Sequence, residues 1–207
     1  NATAGHALDY DDVGLMGHPS VVLVPALLAE GERLQVSGEQ LIRAYVVGYE
    51  VWAELIARDQ HRHHTKGWHP TAVFGVLASA ASVAALRGLD VQHSQNAIGI
   101  AASMAGGLIA NFGSMTKPLH AGQAAAQGID AVDLAQAGLT ASPDALEHHA
   151  GFLNAISPQG QVDRAPCAAP LGQSLRMAKQ GLTVKKYPMC FATHRVIDAM
   201  LDVVHQH

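Results

Sequence analysis

Lys117 is the only Lys, Arg, Asp or Glu between Val91 and Ile129, and it sits among small and apolar residues. A desolvated ammonium is costly unless an anion, a hydrogen-bond network or a lowered pKa compensates. The alternative is a lysine at a helix end that snorkels its charge into water. A repeated local design favours a site. His18-Pro19-Ser20, His69-Pro70-Thr71 and Lys117-Pro118-Leu119 each set a cationic or protonatable residue directly before proline, with a helical pattern following. Proline at the first helical position starts a helix and holds the preceding residue extended. The three side chains are therefore expected at helix N-termini, where free N–H groups and the dipole favour anions. Three such ends facing one another make a pocket for a small polycarboxylate.

Asp9-Tyr10-Asp11-Asp12 supplies the opposite polarity. On a helix, Asp9 and Asp12 share a face. Asp11 and Asp12 read as a solvated cap. Asp9, preceded by His6-Ala7-Leu8, is the candidate for orienting a histidine or for proton transfer. His61, His63 and His64 lie in a polar run with Arg62 and Lys66, and His148 and His149 near a helix end, so these read as solvated loops. No metal ligation is expected: H-E-x-x-H and cysteine-paired spacings are missing, and neighbouring cations oppose a metal. Nor is there a nucleotide-binding glycine loop or a G-x-S-x-G elbow. Gly106-Gly107 reads as a point of tight packing or a bend.

These side chains need a scaffold, and 207 residues with 49% apolar content can build a real core. Lys+Arg 13 against Asp+Glu 17 gives a net charge of −4, which speaks against a phosphate-tracking nucleic-acid binder. Cys167 and Cys190 are too few for a disulfide framework or an iron–sulfur ligand set, so a cytoplasmic setting is expected. The uncharged stretch from Val91 to Thr116 has an Ala/Gly-rich apolar core at 97–110, too short for a membrane span and expected as a buried helix.

Ser37-Gly38-Glu39-Gln40 is a capping box, and the helix after it should end near Asp59. Pro70 opens a second helix stopped by Gly88. Ser94 is expected to cap a third helix, Pro118 to begin a fourth ending near Gly138, and Ser142-Pro143-Asp144 to start a short fifth. Small residues on many faces allow close helix approach, hence a multi-layered bundle. The expected architecture is mainly α: a helical domain over 1–150, a linker loop over 151–173, and the start of an α+β unit over 174–207. That unit opens with a strand at 182–187 and a helix from about Ala192 that still runs at His205, so the chain reads as a fragment.

With these residues in hand, the chain resembles the MmgE/PrpD family. The matching stretches are His6-Ala7-Leu8-Asp9-Tyr10-Asp11-Asp12, His18-Pro19-Ser20, the Ala44–Glu50 run and Gly67-Trp68-His69-Pro70-Thr71. They continue with Ser114-Met115-Thr116-Lys117-Pro118-Leu119-His120-Ala121-Gly122, then Lys185-Lys186-Tyr187-Pro188 with Thr193-His194. The family includes 2-methylcitrate dehydratase, cis-aconitate decarboxylase and iminodisuccinate epimerase. The resemblance implies a helical domain with an α+β lid, a homodimer, no cofactor and no metal. It also implies active-site positions at Asp9, His18, His69, Lys117 and Lys185. Without it, Lys185 reads as a strand-edge lysine. In this frame the lysines stabilise charge on a substrate carboxylate, His18 and His69 remove and return a proton, and Asp9 orients or protonates.

Dehydration of a small di- or tricarboxylate is the favoured reaction and epimerisation of an amino- or imino-dicarboxylate the alternative. An inactive helical binding or assembly protein is a third reading from another class. Two departures matter. Ala7-Leu8 and Asp11 stand where members most like 2-methylcitrate dehydratase carry Arg-Trp and Asn. Cys190 stands where mammalian-type decarboxylases look to carry histidine. A thiol is a poor donor for protonating the carbanion that decarboxylation leaves.

Overall fold

The computed structural model describes residues 1–59, 62–158, 161–167 and 172–206. The elements are α1 (Ala2–His6), β1 (Asp12–Val13), α2 (Pro19–Leu34), α3 (Gly38–Asp59), α4 (Pro70–Arg87), α5 (Val91–Met104), α6 (Thr116–Gln136), α7 (Phe152–Ile156), α8 (Arg176–Gln180), β2 (Thr183–Val184) and α9 (His194–Gln206). Single 3-10 turns lie at Arg62–Lys66, Ile109–Asn111 and Phe191–Thr193. The architecture is mainly α, as expected.

α4 is the centre of the bundle. It is apolar all round, which is stable only for a helix enclosed on every side, and α2, α3, α5 and α6 enclose it. By length and composition it could cross a membrane, yet 89% of it is buried inside the protein. Its serines close the gaps to its neighbours: Ser82 donates to the Ala44 carbonyl of α3 at 2.8 Å and Ser79 to the Ala125 carbonyl of α6 at 3.1 Å. Approach is this close because the facing residues are small. A methyl added at Gly128 would lie 2.3 Å from Ser79 Oγ. Ala, Gly and Ser thus set the interhelical spacing.

Several boundaries follow the sequence. The capping box forms, Gln40 accepting from the Ser37 N–H at 2.8 Å and Ser37 from the Gln40 N–H at 3.3 Å. α3 ends at Asp59, and α4 runs from Pro70 to a left-handed Gly88. Others shift. α5 begins at Val91, because Asp90 rather than Ser94 accepts from the His93 N–H. α6 begins at Thr116, two residues before Pro118, so Lys117 lies inside the first turn instead of preceding it. The first three N–H groups of a helix have no internal partner, so proline fits there as well as at the first position. Residues 142–150 form turns in place of the expected helix. The helix comes later, inside the expected linker, because Phe152, Leu153 and Ile156 share an apolar face that packs into the main core. At Gly107, φ is +143° and an added methyl would meet the Ala72 Cβ at 2.5 Å, so the glycine pair serves both a bend and tight packing.

The expected strand at 182–187 shrinks to Thr183–Val184, paired antiparallel with Asp12–Val13. Glu50 of α3 accepts from the Arg176 and Met177 N–H groups at 3.0 and 2.8 Å, and Tyr49 donates to the Gly181 carbonyl at 2.8 Å. Segment 176–184 is thereby fixed to α3 and to the N-terminal turn. The 3-10 turn and helix α9 follow near the expected place.

Candidate functional site

Asp9, His18, His69, Lys117 and Lys185 all line one cleft of about 950 Å³, with His6, His64, Phe112 and Cys190 among their neighbours. Local chain geometry places each. His18 and His69 are the N-cap residues of α2 and α4; His69 is extended before Pro70, while His18, at φ −128° and ψ 76°, falls short of the extended geometry expected before Pro19. Lys117 projects from the first turn of α6. Lys185 follows β2 and is buried.

Asp9 does not lie on a helix with Asp12. α1 has ended, and Asp9 takes φ +50°, a left-handed conformation that aspartate tolerates better than most residues. Leu15 and Met16 also have positive φ, in a tight turn closed by the Gly14–Gly17 hydrogen bonds. Three left-handed non-glycine residues beside one cleft each cost about 1–2 kcal/mol. Trp52 helps hold the turn, its indole donating to the Leu15 carbonyl at 3.3 Å.

The Asp9 carboxylate is the electrostatic hub. Its Oδ1 lies 2.9 Å from Lys117 Nζ, 2.8 Å from Lys185 Nζ and 3.7 Å from His18 Nε2. Burial opposes the charged form of Asp9, but hydrogen bonds from Lys185 and Lys117 outweigh it and hold the carboxyl below its usual range. Lys117 therefore has an anionic partner, and its ammonium also lies 5.3 Å from the Phe112 ring centre.

The solvated-cap expectation for Asp11 and Asp12 is overturned. Asp12 is buried and accepts from the Ser20 N–H at the start of α2, and burial raises its pKa. Asp11 accepts from His6 Nδ1 at 2.7 Å and lies 3.4 Å from His18 Nδ1. Burial would raise Asp11, but hydrogen bonds from His18 and His6 dominate and hold it well below the usual carboxylate range. His18 Nδ1 donates to the Asp12 carbonyl at 2.9 Å, and its Nε2 faces the Asp9 carboxylate.

His69 is buried, and its Nδ1 lies 3.0 Å from His120 Nδ1. One shared proton joins the two rings, so each fixes the other's tautomer. Burial, then charge interactions with His120, His6, His18 and Lys117, push His69 down to about 2, so the ring is neutral at ordinary pH. Phe112 packs edge-on against it at 4.8 Å.

Sequence reasoning missed His6 and His120 as members of the site. His120 lies one turn after Lys117, and His6 three residues before Asp9. Those spacings were the available signals.

The outlying histidines divide. His148 and His149 are exposed, as expected, and so is His64. His63 is not: it is wholly buried and bonded through Nδ1 to the equally buried Asp59, with its ring edge-on to Phe74. His61 lies outside the described residues.

Among the described residues, one group has the donor atoms for a cation: His6, Asp9, Asp11 and His18 offer ligand atoms within 4.8 Å of one another. Its charge balance does not suit a metal. Asp9 Oδ1 already faces two ammonium groups, and Lys185 also lies 3.5 Å from Asp11.

A helical layer sets His18 and His69 at helix N-termini, and in the same cleft two lysines converge on the Asp9 carboxylate. The model of the MmgE/PrpD N-terminal domain matches residues 1–165, and the chain belongs to the MmgE/PrpD family. It is 35% identical to the cis-aconitate decarboxylase of Homo sapiens over 98% of this chain and 43% of that protein. It is 34% identical to that of Mus musculus over 98% of the chain and 42% of the relative. Against the cis-aconitate decarboxylase of Aspergillus terreus the figures are 30%, 88% and 39%. The chain thus spans about two-fifths of the length of these relatives.

Proposed function

We propose that this chain carries most of the active site of a cofactor-independent lyase acting on a small tricarboxylate, with loss of water as its reaction. One observation carries the reading: two ammonium groups converge on a single carboxylate oxygen that lies 3.7 Å from the His18 imidazole. A substrate carboxylate that takes Asp9's place at Lys117 and Lys185 gains both cations. Removing the proton on the adjacent carbon then builds charge on that carboxylate, where fixed cations stabilise it most. His18 Nε2 is the base, and Asp9, 3.7 Å away, stabilises the positive charge the ring acquires. The protonated His18 then passes that proton to the leaving hydroxyl, which departs as water, while neutral His69, held by His120, hydrogen-bonds and positions the substrate.

Loss of carbon dioxide is the second reading, favoured by the names of the relatives above. The two reactions share a carbon skeleton, since dehydrating a citrate-type acid yields an aconitate-type acid. They differ in what must be protonated, and Cys190 in the cleft wall supports water loss. Epimerisation has less support, because the relatives above are named for a lyase reaction on cis-aconitate.

The test is to incubate the full-length protein separately with citrate, 2-methylcitrate and cis-aconitate, following products by NMR and carbon dioxide by trapping. Alkene formation from a hydroxy acid is expected. Carbon dioxide release from cis-aconitate at a higher rate would select the second reading, and no turnover with any of them would overturn both.

A further inference from the structure

His6 is the buried polar group of the cleft to which the chemistry above gives no task. Its residue surface is 1% exposed, its Nδ1 is bonded to Asp11, and its Nε2 has no partner among the described residues. The Asp11 carboxylate, fixed by His18 and within 3.5 Å of Lys185, only accepts. Nδ1 therefore carries the imidazole proton, and Nε2 presents a lone pair. The ring lies 4.5 Å from that of His18 and 6.3 Å from that of His69, which it faces almost in parallel at 19°.

We propose that His6 Nε2 accepts a hydrogen bond from a hydroxyl of the bound substrate, so that the cleft selects a hydroxy-polycarboxylate over its deoxy counterpart. The proposal rests on the polycarboxylate reading above. A buried acceptor left unpaired is costly, and nearby donors are already committed: Lys117 and Lys185 to Asp9, and His18 Nδ1 to the Asp12 carbonyl. A substrate carboxylate has no proton to offer and is repelled by a lone pair. A hydroxyl is a neutral donor, and here it is held among the groups that move protons. Burial also lowers the pKa of His6 and keeps the ring in the neutral form that accepts.

Citrate and propane-1,2,3-tricarboxylate differ only in the hydroxyl. Calorimetric titration of the full-length protein should show citrate binding roughly five- to ten-fold tighter, the worth of one hydrogen bond. His6→Asn, whose amide nitrogen keeps the bond to Asp11 but which has nothing at the Nε2 position, should remove the difference. His6→Gln, which returns an acceptor near that position, should restore part of it. Equal affinities in the parent protein overturn the role of His6 and leave the polycarboxylate reading standing. Failure of both acids to bind overturns the two together. An undiminished preference for citrate in the asparagine variant overturns the role of His6; should that variant not fold, His6→Gln, expected to keep only part of the preference, takes its place, and a preference of parental size there overturns it equally.

Discussion

The Lys185 ammonium lies 2.7 Å from the main-chain oxygen of Asp9 and 2.8 Å from its carboxylate Oδ1, joining residues 176 positions apart. One cation thus neutralises the Asp9 side chain and also holds its left-handed backbone. Lys117 reaches only the carboxylate.

The two lysines should therefore respond differently to removal of their charge. Lys117→Met should lower kcat by at least about 100-fold, the scale for loss of a transition-state donor, with little change in melting temperature. Lys185→Met should lose as much activity and also cost roughly 1–3 kcal/mol of stability, since the Asp9 carbonyl is left unpaired while the carboxylate keeps Lys117. Steady-state kinetics and thermal melts check both. Activity within a few-fold of the parent after Lys117→Met would favour the inactive-scaffold reading.

Glu50 touches no part of the cleft, yet it anchors the segment that delivers Lys185. Glu50→Ala should reduce kcat at least ten-fold through misplacement of Lys185. The same substitution in a Lys185→Met background should cost little more. Additive losses in the double-mutant cycle would show that Glu50 does not act through Lys185.

Stability should fall as pH drops below about 6.5. His69 is depressed in the folded state to about 2, with burial as the main cause, and burial also lowers His6 and His120. Between the folded and unfolded values the unfolded chain binds more protons, so unfolding gains up to about 1.4 kcal/mol per pH unit per histidine. Asp9 and Asp11, depressed when folded, add to the loss as pH falls through and below the ordinary carboxylate range. Asp12, raised by burial, opposes it. Denaturant melts from pH 7.5 to 4 should show this slope, and His69→Gln should flatten it above pH 4.5. A flat profile in the parent would contradict neutral burial.

Exhaustive EDTA treatment should leave activity intact, because the group of four possible ligands shares its central carboxylate with two ammonium ions. Loss of activity that one metal alone restores would reverse this.

What the sequence showed was local. A capping box, a proline that starts a helix and a glycine that ends one are decided within a few residues, so α3 and α4 were legible almost to the residue. His18 and His69 were legible for the same reason. His6 was not, because its burial comes from packing between α1, α2 and α6. A five-residue helix has too little length to show a periodic face. Asp11 and Asp12 look like surface charge until the histidines from other elements surround them. Lys185 depends on a ladder of two residues per strand, which leaves no alternation to detect. Its place came from resemblance, and its pairing with Asp9 from the structure.

The β1–β2 ladder has a consequence for the order of events during synthesis. Asp12 and Val13 leave the ribosome early, and their partners Val184 and Thr183 emerge only after α2 to α6 have been made. Contacts this distant in sequence form late. A nascent chain can therefore complete its helical core while the Asp9 carboxylate still faces Lys117 alone. The second ammonium of the proposed site arrives in one step when residue 185 docks, so a chain interrupted before that residue would hold a helical core whose Asp9 lacks it.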